Sequence, residues 1–228
     1  MKKILVLVFS IVFLQTKTQA QQLARIANGD SYLNIRTRES SDSKIIGSFQ
    51  ASEFFYVQPD STNWWKAKSI NGKEGFVYRG RVQLIDSLPE AQLRNLFSNV
   101  FENEKELAEN YANTFLKYNF ETRRWSSRPD SIISLKAQKV LAKYSREKYS
   151  PMLEIFGDYF CHTSDTPTLK ILFSIFEVDK LSSSQSPGWC LATCYICSPE
   201  IISNFIAQLP PPQKEIIKSD MEERLKQQ

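Results

Sequence analysis

Residues 31–36 read Ser-Tyr-Leu-Asn-Ile-Arg, 45–49 Ile-Ile-Gly-Ser-Phe, 53–58 Glu-Phe-Phe-Tyr-Val-Gln, 63–68 Asn-Trp-Trp-Lys-Ala-Lys and 70–78 Ile-Asn-Gly-Lys-Glu-Gly-Phe-Val-Tyr. Side chains alternate between the two faces of a strand, so each run sorts into an inward and an outward set. Leu33 and Ile35 share one face, with Tyr32, Asn34 and Arg36 on the other. Phe55 and Val57 oppose Phe54, Tyr56 and Gln58; Trp65 and Ala67 oppose Trp64, Lys66 and Lys68. Five short β-runs parted by polar turns describe a small closed barrel. Its expected core is Leu33, Ile35, Phe49, Phe55, Val57, Ala67 and Val77. Asn71-Gly72 predicts a hairpin with a type I′ turn, which needs positive φ at both central residues. Asn28-Gly29-Asp30 predicts a second turn and Tyr78-Arg79-Gly80-Arg81 a tight bend.

Working outward to the N-terminus, Met1-Lys2-Lys3 precedes an eleven-residue run, Ile4 to Leu14, apolar except for Ser10. A polar stretch follows and ends at Thr18-Gln19-Ala20. This is the pattern of a cleavable export signal over residues 1–20, cut after Ala20 and placing the chain in a periplasm or outside the cell. The run is too short to span a bilayer, and the first cysteine is Cys161, so no thiol near the cut can carry a lipid anchor. The formal charge is +4, but Lys2, Lys3 and Lys17 leave with the leader, and 26 basic residues then face 25 acidic ones. Such a balance argues against a nucleic-acid partner, which would need clustered Lys and Arg on one surface.

From Pro89 the period changes from two to between three and four. Leu93, Leu96, Phe97, Val100 and Phe101, then Leu107, Tyr111, Phe115 and Tyr118, predict two helical segments about Asn103. Ser150-Pro151, Thr166-Pro167 and Ser198-Pro199 predict helix starts, because proline at the first helical position lacks only an N–H that would be unpaired there. Helices are expected near 90–119, 130–146, 151–162, 167–180, 188–197, 199–209 and 212–226. Residues 169–178 are apolar nearly all round, as in a helix buried on most sides. The fold class is therefore α+β in two domains: a barrel over 24–86 and an all-α domain over 89–228, either a bundle or HEAT-like helix pairs. The Pro210-Pro211-Pro212 run reads as a rigid link between two helices, with a polyproline II ligand as the other reading.

The first domain resembles the bacterial SH3 domain (SH3b). Leu33-Asn34-Ile35-Arg36, Ile46-Gly47-Ser48-Phe49, Phe55-Tyr56-Val57, Trp64-Trp65-Lys66-Ala67 and Asn71-Gly72-Lys73-Glu74-Gly75-Phe76-Val77 fall in the family's order and spacing over residues 24–86. Two positions depart from it. Thr37 to Ser41 lacks the usual Gly-Pro, and Ser52 stands where a turn glycine is usual. The resemblance implies a binding module without chemistry of its own, with a groove between loops 36–44 and 59–63. Trp64, Tyr32, Tyr78 and Glu39 are its candidate groove residues. Residues 78–81 lack the Pro and Tyr of the eukaryotic polyproline groove, which argues against a PxxP ligand. The implied partner is a cell-wall peptide or an envelope protein, although Trp64 on a domain interface is the competing reading.

Cys190, Cys194 and Cys197 fall at four and three, on one helical face, with Cys161-His162 the remaining candidates for sulfur chemistry. The spacing also occurs around iron–sulfur clusters, but no cofactor-binding segment accompanies it. An oxidising compartment favours a bridge from Cys161 to one of the other three; packed free thiols and a Cys3His zinc site are the alternatives. No cofactor is implied. The single histidine, His162, adjoins Cys161, and neighbouring helical positions project about 100° apart, which prevents the contact that would activate a nucleophile. Glu102 with Glu106, and Glu104 with Lys105, read as a solvated helix face. The functional expectation is an exported, non-enzymatic binding or scaffold protein. A periplasmic inhibitor acting through its helices is the alternative, and an accessory of a cell-wall hydrolase a third.

Overall fold

In a computed structural model the described residues are 21–27, 29–115, 118–119, 124–125, 131–178 and 187–226. The expected leader over residues 1–20 lies outside them, as does Asn28 of the expected turn. The chain is α+β: a curled antiparallel sheet followed by a helical region. The strands are β1 (Gln22–Ile26), β2 (Tyr32–Arg36), β3 (Ile45–Gln50), β4 (Phe54–Gln58), β5 (Trp64–Ser69), β6 (Glu74–Tyr78) and β7 (Val82–Leu84), in the order β3-β2-β6-β5-β4-β1-β7. Beyond the five expected runs, β1 and β7 pair with each other, and β1 also pairs with β4.

The inward set is the expected one. Leu33, Ile35, Phe49, Phe55, Val57, Ala67 and Val77 are buried together with Ala24 and Ile26. Phe49 and Phe55 stack at 4.0 Å between ring centroids. Asn71-Gly72 does make the β5–β6 hairpin, but not through a type I′ turn. Gly72 has φ +86°, whereas among the described non-glycine residues positive φ occurs only at Ser164. The Gly72 amide bonds the Ser69 carbonyl at 2.8 Å, and the Ser69 amide bonds Lys73 at 2.8 Å. That is a three-residue loop, a tight turn closed by a left-handed glycine, in which Asn71 keeps an ordinary backbone.

The helices are α1 (Glu90–Phe115), α2 (Ser131–Tyr144), α3 (Ser150–Thr163), α4 (Thr166–Val178), α5 (Gly188–Cys197), α6 (Pro199–Gln208) and α7 (Pro211–Leu225). α1 runs unbroken through Asn103, so the two segments expected there are one helix. It stops before Tyr118-Asn119, which pairs as strand β8 with Arg124-Trp125, strand β9. The predicted continuation to 119 fails because cross-strand pairing claims those backbone groups. Nor does a helix begin at Ser150. Residues Ser145–Tyr149 form a π-helical turn that joins α2 to α3, and Ser150 is itself helical at φ −59°, ψ −46°. A proline inside a helix removes one backbone bond and crowds the carbonyl four residues back. The wider π turn takes up both faults, so Pro151 is buried within a continuous rod. At Pro211 the reading as a helix start holds, and the proline run opens α7.

The α3–α4 connection is made by two residues. Ser164 is left-handed at φ 53° and closes α3 by bonding the Phe160 carbonyl at 2.8 Å. Asp165, rather than Thr166, then caps α4, its carboxylate accepting from the Thr168 amide at 3.3 Å and the Thr168 hydroxyl at 2.8 Å. α5 runs against α3, α6 and α7. Gly157 permits the α3 approach, since a Cβ there would sit 2.9 Å from the Thr193 Cβ. One cluster gathers residues of α1, α3, α4, α5, α6 and α7, among them Phe97, Phe156, Leu172, Leu191, Ile202 and Met221. Of the two expected helical arrangements this is the bundle, because stacked pairs would bury faces in series rather than about one centre.

The barrel joins the same cluster. Leu23, Phe54, Ile85 and Leu88 are buried in it, and Tyr56 and Ile70 pack on its edge. The Tyr56 hydroxyl donates to Glu154 of α3 at 2.8 Å; burial first, and this carboxylate second, push the phenol's pKa upward. The Lys148 ammonium of the π turn lies 4.4 Å over the Phe54 ring. Phe54 therefore faces away from the barrel core and is buried all the same.

Candidate functional site

The register defines one outward face on the barrel. Trp64 pairs with Tyr78, Lys66 with Phe76 and Lys68 with Glu74; Arg36 pairs with Phe76 from the other side. Trp64, Tyr78, Phe76, Arg36 and Tyr32 thus share the face opposite the core, by the alternation of the strands. At its other end Tyr56 pairs with Lys68 and with Leu23, and there the helices close over it. One half of the outer surface is core to the bundle. The other half, around Trp64, is open.

Three of the candidate residues are drawn together on the open half. Trp64 is half-buried, and its ring meets Tyr78 edge-on at 5.7 Å. Tyr78 and Tyr32 remain 44% and 48% exposed, high for rings of that size. A 3-10 turn, Arg79–Arg81, ties them together. Gly80 lies against the Tyr78 ring, where a Cβ would come within 2.7 Å of its edge. Arg81 sits 5.9 Å over the Tyr32 ring and binds Asp30 with both arms of its fork, at 2.7 and 2.6 Å. The Arg81 guanidinium holds the Asp30 carboxyl below the usual carboxylate range. Glu39 stands apart at the exposed tip of the loop after β2, and no contact among the described residues ties it to the aromatics.

Both loops flanking the face are folded on themselves. Arg36 donates to the Ser43 carbonyl at 2.6 Å, and Thr37 bonds Lys44 at 3.0 Å. In the loop before β5 the Asp60 carboxylate accepts the Thr62 amide at 2.7 Å, and the Trp65 indole donates to the Asp60 carbonyl at 3.1 Å. Trp65 is thereby pinned inward, leaving Trp64 as the outward ring. Lys66 and Lys68 both bridge Glu74 at 3.4 Å, and the hydrogen bond from Lys68, then the charge of Lys66, keeps that carboxyl below its usual range.

A second concavity of about 220 Å³ lies where the barrel meets the π turn, lined by Phe49, Phe54, Asn71, Lys73, Glu147 and Lys148 among others. Burial pushes the Lys148 pKa down, and Glu53 and Glu147 partly offset this. Periodicity could not reveal this cleft, since its walls come from β3, β4, the Asn71 turn and a π turn in a distant helix. Arg81 and Phe76 were likewise missed as parts of the face. Phe76 was legible from its register with Lys66; the Arg81–Asp30 pair spans 51 positions and leaves no local trace.

Of the cysteine candidates, Cys161 is joined to Cys197, bringing the end of α3 onto the end of α5. Cys190 and Cys194 are buried free thiols, and burial, then Cys194 itself, push the Cys190 pKa well up. A thiol held in that state is a poor nucleophile. His162 is exposed, its Nδ1 bonding the Asp158 carbonyl at 2.7 Å. Among the described residues no group of three or more His, Cys, Asp or Glu is placed to hold a metal.

Glu104 corrects the reading of a solvated face. Glu102 and Glu106 are exposed, but Glu104 is buried and accepts a hydrogen bond from Ser145 at the start of the π turn. Asp165 is a second buried carboxylate. Besides Thr168 it accepts from the Tyr159 hydroxyl at 2.8 Å and Arg94 at 3.1 Å. Burial alone would raise its pKa, yet the Thr168 and Tyr159 hydrogen bonds outweigh that and hold it low. Both carboxylates are committed to joining helices.

No helix among the described residues is long and apolar enough to cross a membrane. No curated protein matches the chain. Residues 31–83 match the family model of the bacterial SH3 domain, and the helical region after them matches no family. The barrel that carries the open aromatic face is thus the part of the chain that is similar to the bacterial SH3 domain, and that similarity suggests a binding role.

Proposed function

We propose that this is an exported, non-enzymatic binding protein whose barrel takes a cell-wall peptide, or a peptide-like segment of an envelope protein, on the face formed by Trp64, Tyr78 and Tyr32. The observation that carries the reading is the division of the barrel's outer surface. The helices close over Phe54 and Tyr56 and leave Tyr78 and Tyr32 in solvent, with Trp64 half-buried between the barrel and the open face. Rigid aromatics lose little side-chain freedom on binding, and their rings cover large apolar area. Arg81, Lys66 and Arg36 beside them are held in place by Asp30, Glu74 and the Ser43 carbonyl, and each carries further N–H groups that can reach backbone carbonyls and carboxylates of a ligand.

Co-sedimentation of the protein with isolated peptidoglycan sacculi tests this. Trp64→Ala removes the central ring from an exposed face, so the fold should persist while retention falls by about tenfold or more, the loss of a central aromatic contact. Equal retention of the folded variant would refute the face as the binding site. A single tight protein partner combined with no sacculus binding would favour inhibition through the helices instead.

A further inference from the structure

Helix α2 is built inside out. At about 100° per residue, Ser134 and Leu141 mark the line that faces the protein, with Ala137 half-buried beside it. Centred opposite that line, over an arc of roughly 160°, lie only Ile132, Ile133, Leu135, Lys136, Lys139, Val140 and Lys143. The four aliphatic residues of this arc are 77%, 56%, 49% and 47% exposed, in the order Ile132, Ile133, Leu135, Val140. A helix that served only its own bundle would turn these residues inward and the serine outward, because apolar surface left in water is unfavourable. The lysines are just as one-sided. α2 carries no acidic residue, and none of the three lysines makes an ion pair among the described residues.

We infer that this face of α2 seats on an anionic lipid surface. Aliphatic residues interleaved with lysines, with no acid among them, form the composition of a helix that lies in the plane of a membrane interface. The lysine stems can follow the apolar strip while their ammonium groups reach the phosphates. Charge complementarity selects the occupant: a second copy of the same face would oppose lysine to lysine, whereas an anionic bilayer meets all three at once. The helix has 14 residues, about 21 Å of length, and presents its strip along one side. This inference does not rest on the barrel's ligand, since no residue of the barrel takes part.

Flotation of the purified protein with vesicles tests it, using phosphatidylglycerol mixed with phosphatidylethanolamine against vesicles of phosphatidylcholine alone. Binding to the anionic vesicles only, weakened by added salt, is the expected result. Each lysine near an anionic surface contributes about a fivefold factor, so Lys136→Gln/Lys139→Gln/Lys143→Gln together should weaken binding about a hundredfold. Leu135→Glu and Val140→Glu alter exposed positions and should each cost about tenfold or more with the melting temperature unchanged. Absence of binding to either vesicle, equal binding to both, or full binding by the triple variant would overturn the inference. An acidic protein held through α2 by a chain that ignores vesicles would overturn it too.

Discussion

Replacing Phe54 with alanine should loosen the helices, although Phe54 belongs to a strand. The ring is 7% exposed and packs in the cluster that holds Phe97, Phe156 and Met152 rather than in the barrel core. Phe→Ala at a buried site costs about 3–5 kcal/mol through lost transfer energy and the cavity left behind. The Lys148 ammonium 4.4 Å above the ring adds a cation–π contact of roughly 0.5–2 kcal/mol, more when desolvated. Lys148 is depressed in pKa chiefly by burial, so losing its ring would also admit water around it. Urea unfolding followed by the helical far-ultraviolet signal reads the effect, because the substituted strand contributes little to that signal. With a slope of about 2–3 kcal/mol per molar, the helical midpoint should fall by ~1–2 M. Hydrogen exchange at the Val77 and Phe160 amides, one in each part, should accelerate together. A helical midpoint that stays in place while barrel amides alone lose protection would refute the idea that strand and helices share one cluster.

Asp165→Ala should destabilise the protein by about 2–3 kcal/mol, combining a lost helix cap with unpaired Tyr159 and Thr168 groups. Its carboxyl sits below the ordinary 3.8, so the unfolded chain binds that proton more readily. The stability it contributes is therefore complete above about pH 4 and lost as pH falls through the lower folded value; acid melts of parent and variant should converge below that window. The Cys161–Cys197 bridge closes 36 positions, which in the chain-entropy account is about 4 kcal/mol. Cys161→Ala/Cys197→Ala should lower thermal stability accordingly, and the unreduced, denatured parent should titrate two free thiols, from Cys190 and Cys194; four would disprove the bridge.

The barrel was readable because its information is local. A two-residue repeat assigns Leu33, Ile35, Phe55, Val57 and Val77 to one side whatever surrounds them, and polar turns separate the strands. Helical spacing worked equally well for existence and poorly for ends. Pro151 looks like a start from its neighbours, yet the π turn before it lets the rod continue. Tyr118 keeps the helical interval but is taken by a strand partner.

The outward residues carry no such label. Phe54 and Trp64 are both aromatic, both face away from the barrel core and both stand in β-runs; one is buried by α3 and the π turn, the other stays wet. Glu104 and Glu102 differ only in which side of α1 meets Ser145. Local composition records how a side chain would distribute between water and an apolar phase, and so predicts which residues want cover. Which of them receive it depends on contacts across roughly a hundred positions, such as Tyr56 with Glu154 and Lys148 with Phe54, and those exist only once the chain has closed upon itself.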